Sequence, residues 1–142
     1  MRKKLFRGCL LLLVAFGLVS LVSCTSASSS HYSDFYNVGA GNITLTGAQF
    51  AQYTLFRFDT SAAACTLNFP NAADIVNAIS SPYAGEVIIM AVSADGSNQV
   101  NVVGGTGVVV KTSAGTIQPN STATLYCVLD NVTPGSEAVF IY

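Results

Sequence analysis

From about residue 42 onward, hydrophobic residues recur in short runs in which apolar and polar positions alternate, as they do in β-strands. These runs are rich in Val, Ile, Thr, Phe and Tyr, and clusters of Gly, Asn, Asp, Ser and Pro separate them. About eight strands are predicted, at residues 42–46, 53–59, 65–69, 86–93, 99–103, 108–112, 123–129 and 138–142. So many short strands in so short a chain predict an all-β domain, built as an antiparallel sandwich or jelly roll.

Turn-forming residues between the later runs predict that neighbouring strands form hairpins. Asp95-Gly96 follows a long apolar run, and an Asp-Gly pair tolerates the positive φ angles of a tight hairpin turn. The glycine-rich segment 104–107 joins two valine-rich runs, and the segment 131–135 joins the last two strands. We therefore expect a meander of sequential antiparallel strands from Glu86 onward.

One segment departs from the strand pattern and predicts a helix at about residues 71–80. Its apolar residues have the one-sided spacing of a helix, and they are Ala72, Ile75, Val76 and Ile79. Asn71 can cap the first turn, and Asp74 lies near the positive end of the helix dipole. We expect this single short helix to close one end of the sandwich.

The N-terminal segment has the layout of a secretory signal. A cationic stretch at residues 1–7 precedes a run of about fifteen apolar residues. This run is shorter than the roughly 20 residues that a membrane-spanning helix needs. Directly after it, Leu21-Val22-Ser23-Cys24 resembles the lipobox of bacterial lipoproteins. In that family the cysteine thiol is lipidated and the cysteine becomes the first residue of the mature chain.

The lipobox resemblance implies a signal peptide at 1–23 and a lipidated N-terminus and tether at 24–41, and the strand pattern predicts a β-sandwich domain at 42–142. Cys24 would carry a diacylglyceryl group and a further acyl chain, and two or more chains make release from a membrane negligible. In lipoproteins of two-membrane bacteria, a residue other than aspartate after the cysteine, here Thr25, is typical of transport to the outer membrane. We therefore expect an exported protein, anchored by lipid at the outer membrane or cell surface.

The distribution of charge excludes one class of partner. The chain has 6 basic and 7 acidic residues, but four of the bases lie in the first seven residues, which leaves Arg57 and Lys111. Nucleic-acid affinity depends on many phosphate contacts, so two separated cations predict no nucleic-acid partner. Without residues 1–23 the net charge is −5. Such a charge repels anionic headgroups and leaves the lipid as the membrane attachment.

Cysteine and histidine usage restricts the chemistry of the exported part. For Cys65 and Cys127 two alternatives stay open, a disulfide across strands or two buried free thiols. Neither has a second Cys or His at ligand spacing, so no metal and no cofactor are expected. The sole histidine, His31, follows the tether, where it would be a poorly oriented base. We therefore expect no catalytic residues and no enzyme activity.

An aromatic cluster precedes the first predicted strand. Tyr32, Phe35 and Tyr36 are too apolar for a free tether and are candidate partner-docking residues. They could dock on the edge of their own domain, or they could add to the sheet of a neighbouring subunit by β-augmentation.

Three segments resemble a small β-rich domain of phage and large-virus virion and fibre proteins: Ile43 to Gln49, Leu67 to Val76 and Leu129 to Ala138. The resemblance covers about residues 42–142 and implies a structural or adhesive surface module, often oligomeric and without catalysis. Virion proteins do not normally carry a lipobox. We therefore expect a cell-surface use of the same module, or a gene of prophage origin.

Together these features predict a lipid-anchored, non-catalytic structural or adhesive β module at the cell surface. A homo-oligomer is expected, with a trimer favoured, because a hydrophobic content of 51% exceeds what one small core buries. A second interpretation is a subunit or base of an extracellular filament assembled by strand complementation. A third is a lipoprotein that binds a glycan or another small ligand.

Overall fold

The computed structural model describes residues 35–142. The predictions for the signal peptide, Cys24, His31 and Tyr32 lie outside these residues. The strands are β1 (Phe35–Gly39), β2 (Ile43–Thr44), β3 (Leu55–Asp59), β4 (Cys65–Asn68), β5 (Val87–Asp95), β6 (Val100–Val103), β7 (Val108–Val110), β8 (Thr116–Ile117), β9 (Ser121–Asn131) and β10 (Ala138–Ile141). The α-helices are α1 (Gly47–Gln52) and α2 (Ala72–Ala78), and a 3₁₀ turn spans Thr112–Ala114.

The strands form two sheets, which confirms the mostly-β fold. The larger sheet has the order β1-β3-β5-β9-β10-β7, and the smaller sheet has the order β2-β4-β6-β8. From β1 to β8 the chain places successive strands in the two sheets in turn. We call the end at which β3 and β5 finish the upper end, and the end that holds both helices the lower end.

The strand directions differ from the antiparallel arrangement expected for a sandwich or jelly roll. A chain that leaves a sheet and returns to it re-enters in the same direction, so β1-β3, β3-β5, β2-β4 and β4-β6 are parallel pairs, as is β10-β7. Within residues 35–142, antiparallel pairing is confined to β5-β9, β9-β10 and β6-β8. The antiparallel expectation is therefore wrong for most neighbouring strands.

The predicted meander from Glu86 is wrong for the same reason. Asp95-Gly96 leads from β5 in the larger sheet to β6 in the smaller one, and segment 104–107 leads back to β7 in the larger sheet. These turns connect two sheets instead of closing hairpins. The hairpin of β9 and β10 around residues 131–135 is confirmed.

The inward-facing side chains of both sheets share one core with the helices. Alternate residues in the middle of the central strands are buried, as the period of a strand requires: Met90, Val92 and Ala94 in β5, and Leu125, Cys127 and Leu129 in β9. The largest fully buried side chains are Phe50, Phe56, Phe58, Phe69, Leu45, Leu67, Ile75, Met90, Leu125, Leu129, Ile141 and Val92.

Helix α2 confirms the predicted helix, but the Asn71 side chain does not cap its first turn as expected. Asn71 occupies the N-cap position without a side-chain bond to the first turn. Its amide donates to Asp74 Oδ2 at 3.2 Å, and its Oδ1 accepts a bond from Thr106 N at 3.0 Å. Asn71 therefore connects the start of α2 to the loop between β6 and β7.

Helix α1 is an element that the strand pattern did not predict. Thr46 and Gln49 form a capping box in which Gln49 N donates to Thr46 Oγ1 at 3.2 Å and Thr46 N donates to Gln49 Oε1 at 2.9 Å. α1 packs closely on α2, because a Cβ added at Gly47 would lie 2.2 Å from the carbonyl oxygen of Asp74. The glycine permits this helix contact.

The domain begins before residue 42, which corrects the predicted boundary of the tether. β1 pairs in parallel with β3, with Phe35 opposite Leu55 and Tyr36 opposite Phe56. Residues 35–39 therefore form an edge strand of the larger sheet, although the sequence assigned them to the tether.

Thr60 offers a test of polar burial in the core. Its backbone bonds Asp95 and Asn98, but its buried Oγ1 has no hydrogen-bond partner among the described residues. An unpaired buried hydroxyl destabilises the folded state, so Thr60→Val is expected to raise the free energy of unfolding by about 1 kcal/mol in urea denaturation. Thr124→Val, on the exposed side of β9, should leave it unchanged. A loss of stability in Thr60→Val would show that the hydroxyl is needed.

Candidate functional site

The outward side of the larger sheet carries apolar residues on its lower half. Strand pairing places them in two neighbouring rows across β5, β9, β10 and β7. We name these residues the apolar patch: Val87, Val128, Phe140 and Val109 in the lower row, and Ile89, Tyr126 and Tyr142 in the upper row. Five of the seven have between 47% and 55% of their surface exposed.

The patch arises because both sides of these strands are apolar. In β5, residues 87–92 form a continuous apolar run, with Met90 and Val92 facing the core while Val87 and Ile89 face outward. Such a run is typical of a strand covered on both faces. Sequence reasoning missed the patch, and the unbroken run in a predicted half-buried strand was the signal that could have found it.

Lys111 lies at the β7 end of the upper row, where its cation faces aromatic rings. Its Nζ is 4.3 Å from the centroid of Phe140 and 5.8 Å from that of Tyr142. This geometry is a cation–π contact, and the aliphatic stem of the lysine covers part of the adjacent apolar surface. The ammonium group of Lys111, next to the patch, thus interacts with aromatic rings of its own chain.

The upper half of the same outward side is polar. Arg57 forms an ion pair with Asp95, which also accepts a bond from Ser93, and Thr122 Oγ1 lies 3.1 Å from Ser93 Oγ. The bond from Ser93 and then the Arg57 cation lower the pKa of Asp95. Hydrogen bonds from Ser61 lower the pKa of Asp59.

Arg57, Ser93, Asp95 and Thr122 border an open cavity of about 540 Å³, which we name the polar basin. Its polar lining residues are Arg57, Ser61, Ser93, Asp95, Asn120, Ser121 and Thr122. Hydroxyl, carboxylate and guanidinium groups together can hydrogen-bond a polar, uncharged ligand. The basin is therefore a second candidate site.

The two cysteines of the described domain are free thiols, and the disulfide alternative is wrong because they lie at opposite ends of the domain. Cys65 Sγ is 3.7 Å from the carbonyl oxygen of Asp59 at the upper end. Cys127 pairs with Ile88 near the lower end. At about 3.3 Å per residue along β5, the two ends are roughly 23 Å apart, far beyond the reach of a disulfide. Burial raises the pKa of Cys127 to about 12, so this thiol stays protonated at neutral pH.

The two aromatic residues of the cluster that the structure describes, Phe35 and Tyr36, differ in their burial. Tyr36 is half-buried, and its ring centroid lies 5.0 Å from that of Tyr53 and 6.1 Å from that of Phe56. Phe35 is 43% exposed at the edge of the larger sheet. Tyr36 therefore packs on its own domain, while partner docking by the cluster stays a prediction.

Within the described part of the chain, no group of three or more Cys, His, Asp or Glu side chains could hold a metal ion. No helix among residues 35–142 has both the length and the apolar character to cross a membrane. No family model, curated protein or solved structure matches the chain. The resemblances to lipoproteins and to virion and fibre domains stay predictions from the sequence.

Proposed function

We propose that this protein is a lipid-anchored, non-catalytic structural module of the cell surface that assembles with copies of itself through the apolar patch. The observation that carries this proposal is the apolar outward side of the larger sheet. The signal-like N-terminus and the lipobox supply the expected location and anchor.

The size of the patch favours a protein partner. Its five most exposed side chains each present about half of their surface, on the order of 500 Å² in total, which is near the upper limit for a monomer. A stable interface buries about 800 Å² on each partner, so the patch supplies more than half of this area. The half-buried Phe140 and Val128 and the polar surroundings of the patch would supply the rest.

A second copy fits the patch better than an anionic membrane surface does. Glu86 precedes Val87 at the lower border, Asp130 lies two residues beyond Val128 on the same side of β9, and Lys111 is the one cation nearby within residues 35–142. Carboxylates beside the patch repel anionic headgroups. Two sheets packed face to face, about 10 Å apart, bury such surfaces efficiently. Because a face that meets its own copy forms a two-fold pair, this geometry favours a dimer over the trimer expected from the sequence.

Replacing Ile89 by lysine tests the assembly, because it places a charge in the middle of the patch. Light scattering of the full chain in detergent, with the detergent mass subtracted, should give a dimer for the wild type. Ile89→Lys should be a monomer at the same concentration, with dimer affinity at least tenfold lower. Circular dichroism should show that the fold is retained.

The matched control is Val103→Lys, since Val103 is an exposed valine of the smaller sheet, 45% exposed and away from the patch. This variant should dimerise like the wild type. A wild-type monomer at all concentrations would contradict self-assembly. A trimer that Ile89→Lys does not dissociate would show that the subunit interface lies outside the apolar patch. Loss of vesicle binding in Ile89→Lys without a change in mass would instead identify the patch as a membrane-binding surface.

Glycan binding is a second candidate function, favoured by the polar basin. Its Arg57–Asp95 pair and neighbouring hydroxyl groups could bind sugar hydroxyls. Glycan-array binding that is lost in Arg57→Ala and kept in Ile89→Lys would support this function.

A further inference from the structure

A groove at the lower end of the domain lies between the C-terminal ends of both helices and the first residues of β5. Its volume is about 750 Å³. We name it the lower groove, and its apolar lining residues include Phe50, Ala51, Tyr53, Ile79, Val87 and Ile88. A groove lined in this way accommodates an apolar or aromatic side chain.

Along one side of the lower groove, the backbone of β5 has an unpaired edge. β9 pairs with β5 from Val87 upward, whereas β3 pairs with it only from Ala91 to Asp95. Ala91 N donates to Thr54 O on the β3 side, and alternate residues of a strand present their N–H and C=O groups to the same side. Val87 and Ile89 therefore present theirs toward the groove, where no strand within residues 35–142 pairs with them.

An extended polypeptide matches the chemistry of this edge. Its N–H and C=O groups repeat at the spacing of the unpaired groups of β5, and such an edge readily pairs with an added strand. Residues 87–90 span about 13 Å, which leaves room for about four residues of a partner. The partner residue beside Ile88 would face the same way as the Ile88 side chain, which lines the groove. Its two neighbours would continue the outward apolar surface of Val87 and Ile89.

The charge of the lower groove is negative. Glu86 is the only charged residue among its described lining residues. The C-termini of α1 and α2 border the groove, and neither helix has a basic residue in its last turn. The terminal carbonyl groups of a helix carry partial negative charge. A lysine or arginine next to the apolar residues of a bound strand would therefore complement the groove.

We propose that the lower groove binds an extended segment of another protein by β-augmentation. An apolar side chain of this segment occupies the groove, and an adjacent lysine or arginine lies beside Glu86. The segment pairs with the lower part of β5 and so extends the larger sheet there. This proposal does not rest on self-assembly through the apolar patch, because it uses the edge of β5 and not the outward side.

A synthetic peptide, acetyl-Gly-Lys-Val-Phe-Val-Thr-amide, tests the proposal with the full chain in detergent. A second peptide with the reversed sequence covers the opposite strand direction. Nuclear magnetic resonance follows the amide signals of Val87 and Ile89, which respond to pairing at this edge and not to uptake of peptide by the detergent. One of the peptides should shift both signals saturably and slow their hydrogen exchange several-fold. The same peptide with glutamate in place of lysine should bind several-fold more weakly.

Glu86→Gln should remove the preference for the lysine peptide over the glutamate peptide, because it removes the carboxylate that faces the lysine. Asp130→Asn is the matched control, since Asp130 is an exposed carboxylate of β9 at the same end of the domain and is not part of the groove lining. This variant should keep the preference. The dispersion of the amide signals reports whether each variant keeps the fold.

Three results would overturn the proposal. The first is that no peptide shifts the signals of Val87 and Ile89. The second is equal binding of the lysine and glutamate peptides to the wild type. The third is slow exchange of both amides before any peptide is added, which would show that another segment of the chain, or a second copy, already covers the edge.

Discussion

Replacing Cys24 by alanine is expected to release the protein from membranes. The body carries excess negative charge, so the acyl chains on Cys24 would provide nearly all of the membrane affinity. Phase partitioning of cell extracts with detergent measures the effect. The wild type should enter the detergent phase, and Cys24→Ala should remain in the aqueous phase or accumulate as an unprocessed precursor.

Cys9→Ala is the matched control, since Cys9 lies in the apolar run of the signal-like segment and not in residues 21–24, which resemble a lipobox. It should partition like the wild type, and mass spectrometry should find its acyl chains on Cys24. Mature Cys24→Ala that still partitions into detergent would contradict lipid anchoring. It would leave the dimer prediction for the apolar patch untouched, because that interface lies on the folded domain.

Phe56→Ala is expected to lower the free energy of unfolding by about 3–5 kcal/mol, the usual cost of removing a buried phenylalanine. Phe56 is 0% exposed, and its ring contacts the rings of Tyr36 and Tyr53. The variant therefore loses core packing and the support of edge strand β1. Urea denaturation followed by circular dichroism measures the change.

Phe35→Ala provides the control on the neighbouring strand. Phe35 is paired with Leu55 but 43% exposed, so its truncation should cost much less than that of Phe56. Equal losses in the two variants would contradict the expectation that burial of the Phe56 ring determines the size of the effect.

The sequence located most strands and one helix because their signals are local. Cys65 to Asn68 alternates between buried and partly exposed residues with the period of two of a strand, and α2 has the helical period of about 3.6 residues. Both periods can be read from a few consecutive residues. The strand directions could not be predicted in the same way. A turn such as Asp95-Gly96 indicates that the chain reverses, but not whether the next strand joins the same sheet or the opposite one.

Two other features were missed for different physical reasons. Helix α1 has six residues, too few to show a helical period, although Thr46 and Gln49 carry the capping-box signature. The apolar patch was missed because the sequence pattern of an apolar run such as 87–92 does not distinguish two cases. In one, the chain itself covers both faces of the strand, and in the other, one apolar face stays exposed.

The position of β9 determines when the domain can fold. β9 lies between β5 and β10 in the middle of the larger sheet, yet it comes after eight other strands in the chain. Pairing of such distant segments is slow, and a nascent chain that ends before Ser121 lacks the partner of β5. The polypeptide is therefore expected to stay unstructured until its synthesis is nearly finished.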